Sequence, residues 1–85
     1  MNNNYIFKKL LSLFHLNKNP EILEEIFVLG GTKVTKSQIK GWRTDLDKNR
    51  ASKMSDFMLE TFLRGLFAYR DKLAEQNIKL FHIEE

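Results

Sequence analysis

The chain contains no cysteine. Disulfides, thiolate zinc sites and cysteine nucleophiles are thereby excluded, and a cysteine-free chain suits a reducing compartment. Histidine is scarce too, with only His15 and His82. A metal site shows His, Cys or carboxylates at short helical spacing. His15 has no such neighbour, and His82 has only Glu84 and Glu85 at the last positions, so no metal is expected. Long apolar runs are missing: no segment approaches the roughly 18 residues of a membrane span. In MNNNYIFKKLLSLFHL, Lys8 and Lys9 interrupt the apolar residues and no small-residue cleavage site follows, so a secretory leader is not expected. The expectation is a cytoplasmic protein without membrane contact. A phosphate loop is also lacking, because Gly30-Gly31 is not followed by Gly-Lys-Ser/Thr. No Ser-His-Asp arrangement suggests itself, and Glu21, Glu24 and Glu25 cluster where a helix macrodipole favours them. A core this small leaves little room for a shielded pocket. A non-enzymatic protein without cofactors is expected.

What the chain does have is apolar mass at helical spacing. Of its 85 residues 42% are hydrophobic, and seven are Phe, enough for one core. Asn3 or Asn4 is placed to cap a first helix, with Ile6, Phe7, Leu10, Leu11, Leu13 and Phe14 as its stripe and an end near Leu16. Asn19-Pro20 opens a second: Asn accepts from first-turn N–H groups, and Pro at the first helical position loses no bond. Ile22, Leu23, Ile26, Phe27 and Leu29 form its buried face, and Gly30-Gly31 stop it with a left-handed cap. Thr35-Lys36-Ser37-Gln38 matches a capping box. It starts a short third helix with Ile39 and Trp42 turned inward. Residues 43–54 have few apolar positions and are expected to form a loop with at most a helical turn. Ser55 with Asp56 caps the longest helix. There Phe57, Leu59, Phe62, Leu63, Leu66, Phe67, Arg70 and Leu73 follow helical spacing, and Phe57, Phe62 and Phe67 are expected in the core with Phe7 and Phe14. Gly41 and Gly65, both inside helices, point to close packing at those places. The expected fold is all-α: a small bundle of four to five helices with a helix-turn-helix-like corner at residues 20–44. The domain spans residues 1–76, and a C-terminal tail spans 77–85.

These residues also resemble a family. The Asn run with Leu10, Glu25-Ile26-Phe27, Gly30-Gly31, Val34-Thr35 with Gln38-Ile39, Trp42, and Ser55-Asp56 leading to Leu59, Phe62-Leu63 and Gly65-Leu66 look like the unit of the YehS-like bacterial proteins. The resemblance covers roughly residues 2–73 and is to a family of unknown function. It implies the helical fold and supplies no catalytic residue or cofactor. Typical members of that family carry the unit in two tandem copies, whereas this chain has one copy and its own tail. The resemblance therefore implies that a second chain takes the place of the missing copy, or that none is needed.

Two functional readings from different classes remain open. In a helix-turn-helix the second helix lies in the major groove of DNA. Val34, Ile39 and Trp42 would anchor such a helix and leave Thr35, Lys36, Ser37, Gln38 and Lys40 outward. The usual corner has its glycine directly before the position taken by Val34, where this chain has Lys33. Between residues 33 and 53 stand Lys33, Lys36, Lys40, Arg43, Lys48, Arg50 and Lys53, opposed only by Asp45 and Asp47. Such a cluster is the footprint of a DNA or RNA binder. It is equally the composition of a solvated loop and helix face. The second reading is a homodimer or partner-binding adaptor. It would use an outer edge of the last helix (Met58, Phe62 and Tyr69) with Ile78, Leu80, Phe81 and Ile83 of the tail, which hold many apolar side chains to leave in water.

Overall fold

The computed structural model describes residues 1–75. Four helices occupy them: α1 (Asn3–Leu13), α2 (Pro20–Leu29), α3 (Lys36–Trp42) and α4 (Asp56–Glu75). No strand occurs among the described residues. The fold is thus the expected all-α bundle, with four helices. The tail expected at 77–85 lies outside the described residues.

The asparagine run is used differently from the expectation. The cap of α1 is Asn2, whose side-chain oxygen accepts from the Tyr5 N–H at 2.8 Å. Asn4 is buried, at 2% exposed. Its Nδ2 donates to the carbonyls of Ser52 (2.8 Å), Thr44 (3.1 Å) and Gly41 (3.4 Å). Its Oδ1 accepts from the Met54 N–H at 2.8 Å. Asn3 donates to the Met54 carbonyl and to the Asp56 carboxylate. Side-chain amides of α1 thereby hold the segment between α3 and α4. That segment forms turns with no helix, and its Met54 is fully buried in the core.

α1 ends at Leu13, three residues before Leu16. His15 takes a left-handed φ of 57°, and the Leu16 N–H returns to the Leu11 carbonyl at 2.8 Å. This closure lets Leu16 enter the core from a turn, which is why its position fits the helical pattern. α2 ends the same way. Gly31 has φ 109°, and the Thr32 N–H bonds the Phe27 carbonyl at 3.0 Å. Asn19 precedes α2 as expected, but its side chain makes no capping bond.

Each helix contributes one ring to the centre. Phe7 of α1 and Phe62 of α4 meet edge to face at 4.8 Å, and Phe27 of α2 lies 5.3 Å from Phe62 and 5.5 Å from Trp42 of α3. Such ring pairs add to the area they bury. α2 and α4 form the most extensive helix pair, and glycine permits it. A Cβ on Gly65 would stand 1.9 Å from the Ile26 carbonyl oxygen, and one on Gly30 would stand 2.0 Å from that of Thr61. Arg64 then donates to the Gly30 carbonyl at 3.2 Å, a cation at the negative end of α2. Gly41 likewise packs against Ser52.

Several positions expected inside are exposed: Leu13, Leu29, Phe57, Leu63 and Phe67. Apolar residues surround most of α4, yet only its stripe of Thr61, Phe62, Gly65 and Leu66 is buried. Among the described helices α4 packs on α2 and α1 alone, so no described helix covers its far side and Phe67 stays 59% exposed. Phe14 is half-buried against the core.

Candidate nucleic-acid interface

The start of α3 is fixed by Thr35. Its Oγ1 accepts from the Gln38 N–H at 3.1 Å, and its own N–H donates to Gln38 Oε1 at 2.9 Å. This is the expected capping box. Ile39 and Trp42 turn inward, Trp42 at 6% exposed. Lys36, Ser37 and Lys40 are exposed. Ser37, Lys40 and Thr44 fall at spacings of three and four, so they share one face.

An open hollow lies between that face and the segment that follows. Ser37, Lys40, Gly41, Thr44, Lys48, Asn49 and Arg50 line it. Its floor is pinned to the core. The Gly41 carbonyl accepts from the Ser52 N–H at 3.1 Å and from buried Asn4, which also holds Thr44 and Ser52. Thr44 Oγ1 donates to the Lys40 carbonyl at 2.7 Å.

Charge is sorted across this segment. Asp45 and Asp47 line a separate hollow with Tyr5, Lys8 and Lys9 of α1, where Lys8 pairs with Asp45 at 3.2 Å. Lys48 and Arg50 line the hollow beside α3. The two carboxylates that oppose the basic stretch in sequence are thus on another side in space. Among the described residues, Lys40, Lys48 and Arg50 make no ion pair.

A family model described as a protein of unknown function, DUF1456, matches residues 3–71. The chain belongs to that family. No curated protein and no solved structure matches it. Among the described residues of this DUF1456 domain, no three His, Cys, Asp or Glu side chains are grouped to hold a metal. No helix there is long and apolar enough to cross a membrane.

Of the basic-region residues, Ser37, Lys40, Lys48 and Arg50 come together in the hollow. The others do not line it. Lys36 pairs with Glu21 at 3.3 Å. The first-turn backbone of Glu21, then the hydrogen bond and charge of Lys36, hold the Glu21 carboxyl below its usual value of 4.5. Arg43 is half-buried, and its Nη1 donates to the Asn17 carbonyl at 2.8 Å. The oxygen of Gln38 is engaged in the capping box. Lys33 and Lys53 are exposed elsewhere. Thr44 and Asn49 were absent from the sequence-based set. Thr44 carried a signal, four residues past Lys40 on one helical face, whereas Asn49 joins through a turn that has no periodicity.

The expected partner edge on α4 needs correction. Phe62 is fully buried between Phe7 and Phe27, and Met58 and Tyr69 are half-buried against the core. Phe62 belongs to the buried stripe of α4, and Met58 and Tyr69 flank it against the core rather than forming an outer edge. Ile78, Leu80, Phe81 and Ile83 lie outside the described residues.

Proposed function

We propose that the DUF1456 domain is a non-enzymatic binding module that associates with nucleic acid through the hollow between α3 and the following segment. One observation carries this reading. Three cations that make no ion pair among the described residues converge on one hollow, beside the Ser37 hydroxyl and the Asn49 amide, while Asp45 and Asp47 face elsewhere. Phosphate contacts from Lys and Arg supply most of the affinity of such modules. The YehS-like resemblance agrees with the family match and adds no activity to either.

The test is a fluorescence-anisotropy titration of labelled DNA and RNA at stepped salt concentrations. Binding should weaken steeply with salt. Charge reversal by Lys40→Glu, Lys48→Glu and Arg50→Glu together should abolish it or flatten the log–log salt slope by about 3 units. Undiminished affinity in the reversed variant, with a native helical circular-dichroism spectrum, would reject this surface.

A second reading draws on the side of α4 that no described helix covers, where Leu63 and Phe67 are exposed. Exposed apolar residues grouped on one helix face favour self-association. A domain that sediments as a monomer at high protein concentration would remove that reading. A dimer disrupted by Phe67→Glu would support it, and would bring two basic hollows into one particle.

A further inference from the structure

The described residues that line the basic hollow offer charge and hydrogen-bond donors but no ring. Modules that hold single strands combine a positive groove with aromatic side chains on which bases stack. Among the described residues, none of those lining this hollow is aromatic. Trp42, the one ring on α3, is buried against Phe27. Exposed Tyr5 lies in the other hollow, with Lys9 over its ring. Exposed Phe67 is on α4, beneath Arg70. Without stacking, attraction follows the density of phosphate charge. That density is highest in a duplex, which carries about one charge per 1.7 Å of axis against about one per 3.4 Å for each strand.

The hollow is also held in shape before any ligand arrives. Asn4 and the Ser52–Gly41 backbone bond tie its two walls together. Walls fixed in this way suit a stiff polymer whose phosphates stand at set positions. A flexible strand would have to be ordered on binding, without stacking to offset that loss.

Resting on the nucleic-acid reading above, we infer that this hollow takes the sugar–phosphate backbone of double-stranded nucleic acid and discriminates against single strands. Lys40, Lys48 and Arg50 meet phosphates, and the Ser37 hydroxyl and Asn49 amide bond phosphate oxygens or sugar.

The full chain is titrated against one short labelled DNA strand, alone and annealed to its complement, and against an RNA strand treated likewise. Duplex should bind at least about tenfold more tightly than the same strand alone, with a log–log salt slope near −2.7 for three contacts. Preference for either duplex, DNA or RNA, meets the inference and tells which helix geometry the hollow fits. Equal or tighter binding of single strands overturns it while leaving the nucleic-acid reading intact. Binding of neither form overturns both. A duplex preference that survives Lys40→Glu, Lys48→Glu and Arg50→Glu together would remove it from this hollow.

Discussion

Two residues show how much can depend on one side chain in a chain this short. Asn4 is buried, and four backbone groups depend on it, one in α3 and three in the segment that follows. Burying an amide is favourable only when its bonds are made. Asn4→Ala leaves the Met54 N–H and three carbonyls without that partner, so a loss of about 3 kcal/mol is expected from urea unfolding. A loss under about 1 kcal/mol would mean that water replaces the amide. His15 is the opposite case. It is exposed yet held at φ 57°, a conformation unfavourable for any residue with a Cβ. His15→Gly should stabilise by about 0.5–1 kcal/mol, the remainder being offset by the greater freedom of glycine in the unfolded chain. An unchanged midpoint would show that this offset is complete.

At the scale of elements, the α2–α4 contact rests on what is missing from two positions. Gly→Ala inside a helix ordinarily gains about 1 kcal/mol of helix propensity. At Gly65 the added methyl would meet the Ile26 carbonyl at 1.9 Å, and backbone cannot rotate aside as a side chain does. Gly65→Ala should therefore destabilise by about 3 kcal/mol in denaturant unfolding, as the helices are forced apart. A neutral result would show that α4 slides at little cost. The same contrast explains what was legible in the sequence. Pro20, Gly30-Gly31, Thr35 with Gln38, and Ser55 are local signals, and the helices they bound were found. The inward rings Phe7, Phe27 and Trp42 followed from helical spacing, whereas Phe62 fitted both the core and the expected outer edge and only the packing puts it inside. Which side of α4 is covered did not follow, because it depends on how many helices pack there. Phe57 and Phe67 were misplaced for that reason. The joining of Asn4 to Ser52 and Met54 is long-range, and no periodicity announces it. The basic residues were visible as a charge run, but their division between two hollows is set by the turns of the loop.

Across the whole molecule the net charge is only +3, from 14 basic and 11 acidic residues. A balanced chain of this kind has carboxylates enough to neutralise a basic cluster. Glu21, Glu25, Asp45, Glu60 and Asp71 do pair, with Lys36, Lys72, Lys8, Arg64 and Arg70. Among the described residues Lys40, Lys48 and Arg50 are left out, and all three are exposed, so they neither hold the fold nor screen one another. Like charges gathered in one hollow repel, and the repulsion is relieved when an anion arrives. The stability of the domain should then respond to duplex and to charge reversal in opposite ways. Saturating duplex, at about 100 times Kd, should add about 2.7 kcal/mol, which for a domain of this size raises Tm by roughly 10 °C or more. The Lys40→Glu, Lys48→Glu, Arg50→Glu variant should lose that response, yet melt no lower than the parent in low salt without ligand. Differential scanning fluorimetry reads both. A variant that melts well below the parent would make these cations structural, and the hollow would then be a by-product of the fold.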